Sequence, residues 1–143
     1  MSIKIGFDIG GVLSKYPSIF RPLIDALIKG GAEVHVITDM HERSETLEML
    51  RLNGLGDIPP ERVHNSDFER YGEACKAVLL KQLGVDIFID DFPAYLAGGC
   101  PVRLQVLPDI DRPYYADEWK TSGKEGEFGR RKRVEAYLKE GQV

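Results

Sequence analysis

The chain has only two cysteines, Cys75 and Cys100, too few for a disulfide framework or a cysteine-built zinc site. A reducing, cytoplasmic setting is the expectation that follows. Long apolar runs are also missing. Nothing approaches the roughly 20 residues that a membrane helix needs, and the N-terminus lacks the apolar stretch of a secretory signal. Nor is there an excess of cations. The formal net charge of -4 argues against general nucleic-acid binding, though it leaves a nucleotide substrate open. Internal repeats are absent, and low complexity is confined to the Gly-, Lys-, Glu- and Arg-rich stretch from Thr121 to Arg133. What remains is a chain of ordinary soluble composition. Its 143 residues suffice to bury a core as one domain, expected over 1–143 with its core at about 3–107 and a C-terminal loop and helix at about 108–143.

The densest information lies at the start, in Ile3-Lys4-Ile5-Gly6-Phe7-Asp8-Ile9-Gly10-Gly11-Val12-Leu13. A run of β-formers meets a single carboxylate, and two glycines follow. A strand inside an α/β protein is buried, so a charge at its end needs a reason. In an open parallel sheet that end lies at the carboxyl edge, where such folds bind ligands. Asp8 is the first candidate for chemistry. The plainer alternative is an Asp that ends a strand and hydrogen-bonds its turn.

Strand-like and helix-like runs then alternate. Ile3 to Ile9 reads as a strand. Phe20, Leu23, Ile24, Leu27 and Ile28 follow the spacing of a helix packed on one face, with Pro22 suited only to its first turn and Gly30-Gly31 as its stop. Glu33 to Thr38 is a second strand. A helix is predicted from about Glu42 to Leu52, then a loop from Asp57 to Asn65 with a short strand at Arg62 to His64. A further helix runs from about Glu69 to Leu83. Val85 to Ile89 is a strand ending in Asp90-Asp91, and Arg103 to Leu107 is another, ending at Pro108-Asp109. The tail from about Phe128 to Lys139 reads as helix. Strands separated by helices imply βαβ units and a parallel sheet. The expected fold is α/β, a doubly wound three-layer sandwich around a mainly parallel, Rossmann-like sheet.

Parallel strands share one carboxyl edge, so Asp8, Thr38-Asp39 and Asp90-Asp91 can meet there. Three or more carboxylates at one point repel unless a cation neutralises them. Oxygen-only ligands suit a hard ion, most simply Mg²⁺. A carboxylate beside such an ion is also a plausible nucleophile toward a phosphoryl group, giving an aspartyl-phosphate. A lysine would complete the set. At 100° per residue, Leu79, Leu80 and Leu83 lie within about 60° of Lys76, whereas Lys81 stands about 140° away. Lys76 is therefore the choice and Lys81 the solvent-facing residue. The alternative for Lys76 is a lysine snorkelling at a helix start.

With these residues in view, the chain resembles the haloacid dehalogenase-like (HAD) hydrolase superfamily, over residues 3 to about 107. Phe7-Asp8-Ile9-Gly10-Gly11-Val12-Leu13 resembles its first motif, whose first Asp is the nucleophile. Val36-Ile37-Thr38-Asp39 resembles the second, whose hydroxyl binds phosphate. Lys76 stands where the third motif's lysine would, and Ile87-Phe88-Ile89-Asp90-Asp91 resembles the fourth, whose acids hold Mg²⁺. The resemblance implies catalytic Asp8, Thr38 and Lys76. It implies phosphate binding by Thr38, Asp39, Lys76 and Gly11, and metal binding by Asp8, the Gly10 carbonyl, Asp90 and Asp91. The implied activity is a Mg²⁺-dependent phosphatase, possible substrates being a phosphorylated small molecule or something nucleotide-like.

One departure stands out. The residue two after the nucleophile is usually a second Asp that protonates the leaving group and activates water, and here it is Gly10. General acid–base help is worth about 10²–10⁴ in rate. A phosphatase without it should be slow, favour good leaving groups, or recruit another group, with Asp39 and His41 nearest in sequence. The competing reading is a non-catalytic HAD-like domain that binds a phosphorylated ligand or a protein. A dehalogenase is a third option, disfavoured by the Asp90-Asp91 pair, since that chemistry needs no cation. Asp8 to Thr38 is 30 positions and Thr38 to Lys76 is 38, which leaves no room for a cap domain. The site should be open to water unless the tail or a second copy of the chain covers it. The layout is closest to small capless nucleotidase-like members, and Asp111-Arg112-Pro113-Tyr114 resembles a loop in some of them.

Other residues have plainer readings. Cys75 is expected as a small buried group. His35 and His64 are expected as core or surface histidines. Tyr114, Tyr115 and Trp119 could stack on a base but better suit pinning the tail to the domain. Arg130-Arg131-Lys132-Arg133 reads as a solvated helix face with Glu135 nearby, and Gly98-Gly99 as a turn.

Overall fold

A computed structural model describes residues 2–107 and 127–140, with side chains described for 133–140 in the second span. Five parallel strands form one sheet: β1 (Lys4–Phe7), β2 (Glu33–Thr38), β3 (Val63–Asn65), β4 (Ile87–Asp90) and β5 (Val102–Gln105), in the order β3-β2-β1-β4-β5. The helices are α1 (Pro17–Lys29), α2 (Arg43–Leu52), α3 (Phe68–Tyr71), α4 (Cys75–Leu83) and α5 (Glu127–Lys139). The expected α/β class with a parallel sheet is borne out, and the arrangement is of the Rossmann-like kind. Because β1 lies between β2 and β4, the strand order reverses beside it, where open parallel sheets bind ligands.

Alternation along the strands divides the apolar groups. Ile5, Phe7, Val34, Val36 and Val63 pack with Phe20 and Ile24 of α1 and Leu50 of α2. Ile37 and Phe88 pack with Cys75 and Leu80 of α4 and with Tyr95 and Leu96. Glycine at position 6 of β1 leaves room for its neighbours, because a Cβ there would press Phe88 and Ile37 at 3.1 and 3.4 Å.

Several predicted boundaries shift. β1 stops at Phe7 rather than Ile9, because the carbonyls of Asp8 and Ile9 turn from the sheet to accept from Leu13 and Ser14 in a wide turn over Ile9–Leu13. α1 begins a turn earlier than Pro22 suggested, with Pro17 in its first turn and Pro22 inside it. Its stripe is narrower than the spacing implied: Phe20 and Ile24 are buried, but Leu23 and Ile28 stay exposed. The helix predicted over 69–83 is broken at Gly72, whose φ of +56° ends α3, and a short 3-10 turn (Gly72–Ala74) leads into α4. The short strand falls at Val63–Asn65 rather than 62–64. β4 starts at Ile87 because the N–H of Val85 closes α4 on Leu80, and it runs on to include Asp90. β5 ends at Gln105. Pro108-Asp109, the Asp111–Tyr114 stretch, Tyr115 and Trp119 lie outside the described residues.

Gly98 and Gly99 do more than turn the chain. A Cβ on Gly98 would stand 2.5 Å from Leu138 of α5, and Gly99, at φ +91°, lies against the Ala77 backbone. Val134 of α5 is buried with Ala74, Ala94 and Ala97, so small residues make the bed for this helix. Arg133 reaches Glu73 at 3.8 Å. Among the described residues no helix is long and apolar enough to cross a membrane.

The two histidines form a relay. His35 is buried and bonds Glu33 Oε1 through Nε2 at 2.7 Å and His64 Nε2 through Nδ1 at 2.9 Å. A carboxylate only accepts, so His35 donates from Nε2 to Glu33, and its Nδ1 faces His64 Nε2. Burial, then the neighbouring His35 and Arg43, push the His64 pKa down from 6.5 to about 4. Between these values the unfolded chain binds the extra proton, so His64 contributes stability above pH 6.5 that is lost as the pH falls toward 4. Denaturant unfolding at a series of pH values should show the wild type losing more stability across that window than His64→Gln. A constant difference between the two proteins would contradict the relay.

Candidate functional site

Asp8 leaves β1 with an extended backbone, and its N–H donates to the Ile89 carbonyl of β4 at 2.9 Å. Phe7 pairs with Ile89, so continuing the register sets Asp8 beside Asp90. Lys76 enters from the first turn of α4, below the same edge. Its ammonium donates to Asp8 Oδ1 at 2.7 Å and to Asp90 Oδ2 at 2.8 Å. All three are buried, Lys76 and Asp90 completely. The Tyr95 ring lies over the same ammonium, 4.3 Å from Nζ to its centroid. Asp90 Oδ1 accepts from the Phe92 N–H at 2.9 Å, which fixes the carboxylate from its other side.

The electrostatics do not balance. Burial pushes the Asp8 carboxyl up to about 6 against the pull of Lys76, with Asp91 and Asp39 adding to the rise. Burial likewise holds Asp90 well above the usual carboxylate range, again against Lys76. Burial would lower the Lys76 ammonium, but the charges of Asp90 and Asp8 outweigh it and the net shift is upward. A strong cation with two reluctant carboxylates means more negative charge than one lysine offsets.

Asp91 sits at the mouth. Carboxylate oxygens of Asp8, Asp90 and Asp91 lie within 4.8 Å of one another, a spacing that one ion could bridge. The donors are all hard oxygens, and the surplus negative charge is what a divalent cation would offset, so the cluster could hold a hard divalent ion. Gly11 lies against the Asp91 carboxylate at φ +71°, where any side chain would collide with it. Gly10 differs. It is exposed, its φ of -63° and ψ of 129° suit any residue, and a Cβ there meets nothing within 4 Å.

Thr38 ends β2 almost completely buried. Its hydroxyl accepts from the Met40 N–H at 3.2 Å, which leaves the hydroxyl proton as a donor. Its carbonyl accepts from the Ser66 N–H and hydroxyl. Asp39 is exposed, and its Oδ2 accepts from the Tyr95 hydroxyl at 2.9 Å. Lys81 is exposed on the far side of α4, and His41 is exposed beyond Asp39. Cys75 is buried with its sulfur 3.2 Å from the Ser66 hydroxyl oxygen, and burial pushes its thiol up, away from the reactive range. Tyr95 is the site residue that sequence reasoning passed over. It lies in a 3-10 turn (Pro93–Leu96), and no periodicity or motif marks its ring as facing Lys76.

Comparison with family models, with curated proteins and with solved structures finds no match for the chain.

The acidic cluster makes a direct prediction. Millimolar Mg²⁺ should raise the melting temperature of the wild type, because ligand that binds only the folded state stabilises it by mass action. Asp91→Asn, which does not touch Lys76, should fold and lose most of that shift. An equal shift in both proteins would show that Asp91 takes no part in binding the ion.

Proposed function

We propose that the chain is a Mg²⁺-dependent phosphohydrolase of the HAD type, working through an aspartyl-phosphate on Asp8. The observation that carries this reading is one buried ammonium shared by Asp8 and Asp90 at 2.7 and 2.8 Å, with Asp91 beside them. A lysine there orients Asp8 and supplies positive charge where a phosphoryl group would arrive. The Thr38 hydroxyl, whose proton remains a donor, would bind a phosphoryl oxygen. Asp8, Asp90, Asp91 and the Gly10 carbonyl would hold the ion, which supplies charge neutralisation for the phosphoryl oxygens. The strand order, with helices supplying apolar groups to both strand faces, supports a doubly wound HAD-like core. The described segments between Asp8 and Lys76 are largely used up by α1, β2, α2, β3 and α3, which supports an uncapped site. Such a mouth suits a phosphorylated small molecule or a nucleotide-like substrate held by loops.

Gly10 supports the rival reading, a domain that binds phosphorylated ligands without turnover. Hydrolysis of an aryl phosphate with Mg²⁺ separates the two. Wild type should turn over and Asp8→Asn should lose activity by several orders of magnitude. Equal rates in both would end the nucleophile assignment, and Mg²⁺-dependent binding with no turnover would favour the binding domain.

The geometry at position 10 gives a gain-of-function test. Gly10→Asp meets no steric obstacle, and replacing glycine at a compatible φ gains about 0.4–1 kcal/mol through the unfolded chain. It should raise turnover of an alkyl phosphate, whose poor leaving group needs an acid, on the order of 10²-fold. Gly10→Ala should not. Equal alkyl phosphate rates in Gly10→Asp and wild type would show that the missing acid is not what limits the enzyme.

A further inference from the structure

With glycine at position 10, the described site has a nucleophile, a cation and a metal-type cluster but no side chain there to move a proton. Hydrolysis of an acyl phosphate still requires water to give one up. One carboxylate at the mouth is tied to the catalytic cation. Asp39 follows Thr38 directly and is exposed to solvent. Tyr95, itself buried, donates its hydroxyl to Asp39 Oδ2 at 2.9 Å, while its ring covers the Lys76 ammonium at 4.3 Å. That ammonium holds Asp8 Oδ1 at 2.7 Å. A single aromatic side chain thus joins the exposed carboxylate to the group that orients the nucleophile. The coupling is also electrostatic: after burial and Lys76, the charges of Asp91 and Asp39 both act on Asp8.

We propose that Asp39 is the general base that activates water against the aspartyl-phosphate on Asp8, and that Tyr95 is its positioning residue. The proposal rests on the phosphohydrolase reading above. The water oxygen attacks phosphorus and its proton passes to Asp39. The bond between phosphorus and the Asp8 oxygen breaks, and its electron pair returns to the Asp8 carboxylate. Inorganic phosphate leaves and Asp39 gives the proton to solvent.

The direction of the Tyr95 hydrogen bond favours a base over an acid. The phenol donates and Asp39 accepts, so the carboxyl stands as a proton acceptor with Oδ1 as the oxygen that takes the water proton. Burial, then the Asp39 charge, push the phenol's pKa up, so Tyr95 keeps its proton and its role as donor. Exposure of Asp39 gives it access to the water it must activate. The first step, by contrast, receives no acid from this group and depends on a good leaving group.

Rapid mixing of the full chain with p-nitrophenyl phosphate and Mg²⁺ tests the assignment. Asp39→Asn should release close to one equivalent of phenol in a burst and then turn over on the order of 10²-fold or more slower than wild type. Acid quenching should leave phosphate on Asp8, identified by mass spectrometry, at a higher occupancy than in wild type. Tyr95→Phe should show the same accumulation with a smaller loss, and it carries the same readout should Asp39→Asn fail to fold. Wild-type turnover in Asp39→Asn, or loss of both burst and turnover in the folded variant, would overturn the base assignment. Activity surviving in Asp8→Asn would instead overturn the aspartyl-phosphate reading on which the proposal rests.

Discussion

A lysine buried completely between two carboxylates is the constraint on which this structure depends. Each of the three charges loses hydration on burial, a penalty of several kcal/mol per ion even after relaxation. Lys76 offsets it by directing its hydrogen bonds at Asp8 and Asp90 and presenting its charge to the Tyr95 ring. The compensation is incomplete on the acidic side, which is why Asp8 and Asp90 both hold their protons more tightly than usual. Asp91 brings a third carboxylate oxygen within 4.8 Å of this pair, so the negative charge at the sheet edge exceeds what one lysine offsets.

The backbone around the triad is shaped to make this meeting possible. The wide turn after Asp8 frees its carboxylate from the sheet, and Gly11 lets the Asp91 carboxylate lie against the main chain. The break at Gly72 starts α4 afresh at Cys75, so Lys76 emerges in a first turn rather than in the middle of a long helix. On the far side, Gly98 and Gly99 admit Leu138 and the Ala77 backbone, which lets α5 close over the alanines beside α4. Glycines at 11, 72 and 99, all with positive φ, therefore position the site as much as its polar side chains do.

Much of this was legible before any coordinates. The carboxylates at the ends of β1 and β4 stood out because a charge beside a buried strand has few harmless explanations. Lys76 was separable from Lys81 because helical periodicity puts it on the apolar face, and it is the buried one of the two. Boundaries were less legible. Asp8 and Ile9 look like strand residues, yet their carbonyls serve the following turn. The run 69–83 looks like one helix, yet Gly72 takes a left-handed φ that no local pattern announces. Gly98-Gly99 read as a turn because the helix that needs them lies some thirty residues further along.

Local periodicity and the identity of strand-end residues determine, by themselves, an α/β chain with acids at several strand ends and one lysine on an apolar helix face. They are short-range properties, written in residues three or four apart. Which acids share the lysine depends on strand order and register, and the adjacency of β1 and β4 is set by packing across the whole sheet. The same holds for Tyr95, which reaches Asp39 across 56 positions of sequence only because the two segments meet at one edge.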